Sequence, residues 1–180
     1  RMIKLYGLDI QQSAPEMADM PFTIRSSAAK ITGTGGGIVE ALYRSLYYKL
    51  TGKSLVNFKI ASLRNNKNIK EFTTKIGKYK LGFAAVNGLG NLHELIKQIK
   101  AGRNDLQFIE VMACPGSCVN GGGQPIGHSR EVVKARTKTL YDIDEKESIK
   151  VSYRNLSVTE LFGKYSGKEK DSFFEKFTTT

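Results

Sequence analysis

Phe108-Ile-Glu-Val-Met-Ala-Cys114-Pro-Gly-Ser-Cys118-Val-Asn-Gly121-Gly-Gly-Gln-Pro125 joins an apolar run to a loop holding both cysteines of the 180-residue chain. Gln107 to Ala113 reads as a strand, and three consecutive glycines, Gly121 to Gly123, follow the cysteines. Just upstream, Leu81-Gly-Phe-Ala-Ala-Val86 is almost continuously apolar, which suits a strand covered on both faces. Between the two runs, Leu92, Leu95, Ile96 and Ile99 share one face of a helix that Asn91 would cap and Ala101-Gly102 would end. Strand, helix and strand with short links make a βαβ unit, so strands 81–86 and 107–113 are expected to be parallel neighbours with a right-handed crossover. The fold class that follows is α/β: a parallel or mostly parallel sheet with flanking helices, a βαβ unit leading into the cysteine loop, and a helical C-terminal tail. Ligands of open α/β sheets sit beyond the carboxyl ends of strands, and the cysteine loop begins at such an end.

Further from this unit, Val56–Leu63 and Lys70–Ile76 alternate as strands do. Ile31-Thr-Gly-Thr-Gly-Gly-Gly37 precedes an amphipathic helix in which Ile38, Leu42, Leu46 and Leu50 recur every four residues, broadened by Val39 and Tyr43 and stopped by Gly52. Bare amides at a helix N-terminus bind anions. Here, however, no Lys-Ser/Thr pair follows the glycines, and a G-x-G-x-x-G frame would need its last glycine where Ile38 stands. A tight turn that lets the helix approach a neighbouring layer is the favoured reading, with the turn also a candidate wall of the cysteine site. Downstream, a helix is expected over about Ser129–Asp142, then a polar, helical remainder with Leu156, Leu161, Phe162 and Tyr165 in one segment and Phe173, Phe174 and Phe177 as a packing face in another. At the other end, Arg1 to Gly7 resembles the close of a helix, which suggests a fragment of a longer protein.

The chain carries 28 basic and 17 acidic residues, a net charge of +11. The lysines are scattered and do not interleave with aromatics, so a nucleic-acid partner is disfavoured against a solvated basic surface. No run of eighteen apolar residues is present, so no membrane-spanning helix is expected. Two cysteines do not make a disulfide scaffold, which favours the cytoplasm or another reducing compartment.

Most chemistries of a C-x-x-x-C pair fail on the neighbouring residues. A thioredoxin-type pair needs two intervening residues. A radical-generating C-x-x-x-C-x-x-C cluster needs a cysteine where Gly121 stands, and a phosphatase loop needs an arginine where Asn120 or Gln124 stands. A nucleophilic cysteine assisted by His93 or His128 has no positional support. Zinc held by Cys114, Cys118 and His128 lacks a fourth ligand. Spacing alone leaves a metal or iron–sulfur centre with ligands missing, since thiolates are the usual ligands of such clusters.

At this point a family pattern enters. Glu110 to Pro125 resembles the last of three signature motifs of the iron-only (FeFe) hydrogenases. Gly33-Thr-Gly-Gly-Gly-Ile-Val-Glu-Ala-Leu-Tyr-Arg44, Phe83-Ala-Ala-Val-Asn-Gly88, Asn91-Leu and Phe108-Ile-Glu-Val-Met are similar to that family in the same order. The resemblance runs from about residue 1 to about residue 145. It implies residues 1–145 as the C-terminal part of a hydrogenase catalytic domain and 146–180 as its helical extension. It also implies a 4Fe–4S cluster joined to a di-iron subcluster carrying CO, cyanide and a bridging dithiolate. Cys114 and Cys118 would ligate the cubane, Cys118 would bridge to the di-iron unit, Met112 would pack against that unit, and Gly121, Gly122 and Gly123 would line the cofactor. The implied reaction interconverts protons, electrons and dihydrogen, with a ferredoxin-like carrier as electron partner. In the family the other two cubane cysteines come from motifs around TSCCP and MPC, which this chain lacks. The chain alone is therefore expected to be inactive, its partner being the missing N-terminal half of the domain. Ser117 stands where the family usually has glycine. Nar1-like proteins of cytosolic iron–sulfur assembly, which share the cysteine motif without the di-iron unit, are the alternative.

Overall fold

The computed structural model describes residues 2–18, 24–55, 59–65 and 67–164. In chain order the elements are α1 (Met2–Leu5), α2 (Ser27–Ile31), α3 (Gly37–Thr51), β1 (Ile69–Ile76), β2 (Tyr79–Asn87), α4 (Leu89–Lys100), β3 (Phe108–Met112), α5 (Arg130–Lys146) and α6 (Leu156–Lys164). The three strands form one sheet in the order β1-β2-β3.

The expected βαβ unit is present. β2 and β3 are parallel, in register from Phe83 opposite Phe108 to Asn87 opposite Met112, and α4 makes the crossover. β1 joins β2 antiparallel, so one of the two pairings is parallel and the sheet is mixed. The cause is the two-residue link between Ile76 and Tyr79, which suffices for a hairpin and is far too short for a crossover. Gly77 supplies its left-handed corner at φ +57°.

β2 is covered on both faces as its apolar run predicts, and its side chains alternate between two cores. Phe83 and Ala85 pack with Val39 and Tyr43 of α3 and with Ile60, Leu63 and Ile76. Ala84 and Val86 pack with Leu95 of α4. Three expectations change in detail. Residues 56–58 lie outside the described residues, and Lys59–Leu63 forms a turn rather than a strand, closed by the Leu63 amide on the Ile60 carbonyl at 2.9 Å. Ile60 and Leu63 are both buried, because an i, i+3 pair shares a face on a turn as it does on a helix. Asn91 lies inside α4, where its amide donates to the Asn87 carbonyl at 2.7 Å, and Gly88 holds the cap position. Tyr165, Phe173, Phe174 and Phe177 lie outside the described residues.

The third change concerns α3. Its buried face is Val39, Glu40, Tyr43 and Arg44, while Ile38 and Leu50 are exposed. A strict four-residue repeat drifts around a helix of 3.6 residues per turn, so the Ile38–Leu50 stripe leaves the core at both ends. The polar half of the buried face is an ionic knot. Arg44, 1% exposed, holds Asp144 of α5 through Nη1 at 2.8 Å and Nη2 at 2.7 Å, and Glu40 through Nη2 at 2.7 Å. Arg64 donates to Glu40 from Nε at 3.0 Å and stacks over the Tyr141 ring, while Ser27 of α2 donates to Asp144 at 2.6 Å. Burial opposes the charge on Arg44, yet its hydrogen bonds to Asp144 and the nearby Glu40 raise its pKa above the ordinary value. The knot therefore fixes α2, α3 and α5 to one another. After α5 the chain returns to α2, with the Ser27 backbone amide on the Ile149 carbonyl at 2.8 Å and the Asn155 side-chain Nδ2 on the Ile24 carbonyl at 3.0 Å. Residues 2–18, by contrast, are exposed throughout.

Candidate iron–sulfur site

β3 delivers the cysteine loop at its carboxyl end. The Gly88 amide, at the end of β2, donates to the Met112 carbonyl at 2.7 Å and marks where the sheet stops. Cys114-Pro-Gly-Ser117 then turns, with the Ser117 amide on the Cys114 carbonyl at 3.0 Å, and Cys118–Asn120 adds a single 3-10 turn closed by the Gly121 amide on the Cys118 carbonyl at 3.0 Å. These two reversals set both thiols on the same short loop. Both cysteines are free, Cys114 half-buried and Cys118 exposed.

Cys118 Sγ lies 3.6 Å from Met112 Sδ, so the last residue of the strand supplies a soft, apolar neighbour to the second cysteine. Gly121 passes close to the first: a Cβ added there would sit 3.4 Å from Cys114 Sγ. A Cβ on Gly122 or Gly123 would meet nothing within 4 Å, so this backbone faces open space. Met112 thus lies against Cys118 and Gly121 against Cys114, with Gly122 and Gly123 following in the open part of the loop. Thiolates on a bare loop fit an iron–sulfur group, and two of them provide half of a four-cysteine ligand set. Among the described residues no group of three or more His, Cys, Asp and Glu is arranged to hold a metal. The zinc set with His128 is therefore not assembled: His128 bonds instead to the Asn120 side chain, Nδ1 to Oδ1, at 3.1 Å. His93 lies exposed on α4.

Ser117 is the only non-glycine residue with positive φ among the described residues, at φ +70° and ψ −170°. Glycine alone occupies that region without strain. The hydroxyl is accommodated, as expected, by donating to the Gly116 carbonyl, and the cost falls on the backbone.

The loop is held by Arg136, which motif spacing did not single out, and by the upstream glycine turn, which Glu110 in turn fixes. Arg136 of α5 donates from Nη1 to the Val119 carbonyl at 3.1 Å and from Nη2 to the Pro125 carbonyl at 2.7 Å. The Val119 amide donates to the Gly33 carbonyl at 3.2 Å, so the upstream glycine turn does form a wall of this site. Glu110, buried on β3, accepts from the Gly36 amide at 2.8 Å and the Val39 amide at 2.9 Å. The anion site that a glycine turn before a helix creates is thus occupied by the protein's own carboxylate. Burial raises the pKa of Glu110, against the pull of those amides and of Lys70. One signal was available in the sequence: a glutamate in an otherwise apolar strand requires a buried partner.

Residues 1–122 match the family described as iron only hydrogenase large subunit, C-terminal domain. The NADP-reducing hydrogenase subunit HndD of Solidesulfovibrio fructosivorans is 36% identical over 169 residues, 93% of this chain and 29% of that protein. The cytosolic Fe-S cluster assembly factor narfl of Danio rerio is 32% identical over 132 residues, 72% of this chain and 32% of that protein. The structure of an apo form of the FeFe hydrogenase HydA1 of Chlamydomonas reinhardtii superposes with a TM-score of 0.66 at 29% identity, covering 94% of this chain and 49% of that one. The chain spans less than a third of the length of both curated relatives. With two thirds of its length matched, and the cysteine turn and glycine turn packed together as described, the chain belongs to the iron-only hydrogenase large-subunit family, as a portion of its C-terminal domain.

Proposed function

We propose that this chain is the C-terminal portion of the catalytic domain of an iron-only hydrogenase and contributes Cys114 and Cys118 to its 4Fe–4S cluster, with Cys118 also bridging to the di-iron subcluster. The observation that carries the reading is the pairing of Cys118 Sγ with Met112 Sδ at 3.6 Å on a loop whose next glycines face open space. When bound, the group supplies electron transfer and the reversible reduction of protons to dihydrogen. The chain's own residues hold and shield it. Cys114 and Cys118 act as thiolates, Met112 keeps water from one side of Cys118, and Gly121–Gly123 offer bare amides that can approach sulfide and tune its potential. Arg136 keeps the loop in place through the Val119 and Pro125 carbonyls, and Glu110 fixes the neighbouring glycine turn through the Gly36 and Val39 amides. The remaining cluster ligands come from an upstream half of the domain, and a ferredoxin-like carrier exchanges the electrons. A reducing compartment suits two free thiols.

Infrared spectroscopy of the intact, matured protein tests this. Carbon monoxide and cyanide bands are expected, and they should vanish in Cys118→Ala while the purified protein stays folded. A second reading, a non-catalytic iron–sulfur protein of cytosolic cluster assembly, rests on the likeness to the Danio rerio assembly factor. It predicts an iron–sulfur absorption without those bands.

A further inference from the structure

Behind the cysteine turn lies a small polar inlet of about 40 Å³, lined by Gly35, Asn65, Lys70, Asn87, Ser117 and Thr137 among others. Two of its inner groups carry unspent hydrogen-bonding capacity. Lys70 is 6% exposed, and its Nζ donates to the Gly35 carbonyl at 2.7 Å and the Leu63 carbonyl at 2.9 Å. An ammonium has three protons, so one remains. Asn87 is 4% exposed, and its Oδ1 has no partner among the described residues. A buried acceptor without a donor costs about 1–3 kcal/mol. This spare donor and this spare acceptor line the same small cavity, which has room for a water.

We propose that this inlet is a binding site for one structural water, which accepts from Lys70 Nζ and donates to Asn87 Oδ1. A cation is disfavoured by the ammonium in the wall, and an anion by the lone pairs of Asn87 Oδ1. The water joins the start of β1 to the end of β2, in an inlet also lined by Gly35 of the glycine turn and by Gly116 and Ser117 at the rear of the turn between Cys114 and Cys118. Burial lowers the pKa of Lys70 to about 8, and a third partner for the ammonium offsets part of that loss. The site stands on this chain's own unmet valences and is independent of any iron bound at the cysteines.

The test is a crystal structure of the full chain at about 1.5 Å from a bromide-containing solution, where an ordered water is resolved and bromide scatters anomalously. One density peak is expected within hydrogen-bonding distance of both Lys70 Nζ and Asn87 Oδ1, with no anomalous signal. An empty inlet overturns the proposal, and so does a bromide peak, which would make it an anion site. Crystals of Lys70→Met, where the donor is gone, should lose the peak. A peak that persists there unchanged also overturns it.

Discussion

Two glycine-rich turns meet at the Val119–Gly33 hydrogen bond, and they use glycine for opposite reasons. At Gly35, Gly36 and Gly37 an added Cβ would lie 2.3 Å from the Asn87 side chain, 3.1 Å from Leu63 and 1.8 Å from the Ile31 carbonyl. That turn is crowded at all three positions, and the Gly36 and Val39 amides are already bonded to Glu110. At Gly122 and Gly123 the same Cβ would meet nothing within 4 Å. The first turn spends its missing side chains on packing within the chain. The second leaves its backbone bare. Glycine count alone does not separate a structural turn from a ligand-facing one; the surroundings of each Cβ do.

The comparison breaks most sharply at Gly37. Gly37→Ala forces a methyl into the Ile31 carbonyl and is expected to cost more than about 4 kcal/mol, seen as loss of cooperative thermal unfolding. Glu110→Gln removes the charge that fills the crowded turn. It should lower stability by about 2 kcal/mol in chemical denaturation, within the range for hydrogen bonds to a charged group. The basic partner beside that turn gives a pH signature. Burial brings Lys70 down to about 8 from 10.5, so the folded chain releases this proton first and the unfolded chain binds more protons between those values. Stability of the iron-free chain should therefore rise from about pH 8 to about pH 10, by up to about 1.4 kcal/mol per pH unit from this group, and the rise should disappear in Lys70→Met. Above about pH 10 the trend should reverse. Tyr141, raised to about 12 by burial, stays neutral in the fold while the unfolded tyrosine ionises.

Smaller effects belong to the cysteine side. Ser117→Gly relieves a glycine-type backbone conformation and is expected to stabilise the chain by about 1 kcal/mol, read as a higher denaturation midpoint. Gly122→Ala should move stability by less than about 0.5 kcal/mol, the usual range for an exposed position. In the intact protein the same variant should reduce iron incorporation by metal analysis. Stability loss in Gly122→Ala, or full iron loading, would remove the contrast between the two turns.

Much of this was legible because it is local. The apolar run Leu81–Val86 announced a doubly covered strand, and the links on either side of α4 required a parallel pair. The position of the cysteines after a strand gave the place of the two-thiol loop, and Met112 beside Cys118 came with the motif. What stayed hidden depends on which distant residues meet. Val56–Leu63 reads as a strand from its alternation, yet Ile60 and Leu63, three residues apart, are both buried from a turn. Glu40 and Arg44 read as solvent-facing polar residues of an amphipathic helix. Their burial depends on Asp144, one hundred residues further along than Arg44, and on Arg64. Arg136 looks like any other surface charge until α5 lies across the loop.

The sequence by itself determined the elements, the βαβ unit, the loop of two thiols and the family, because side-chain period, link length and motif spacing act between neighbours along the chain. Only the tertiary structure decided that the upstream glycine turn is sealed by Glu110 and that the downstream one stays open. Those outcomes turn on burial, and burial of a charge is stable only where a partner from elsewhere in the chain arrives to bond it.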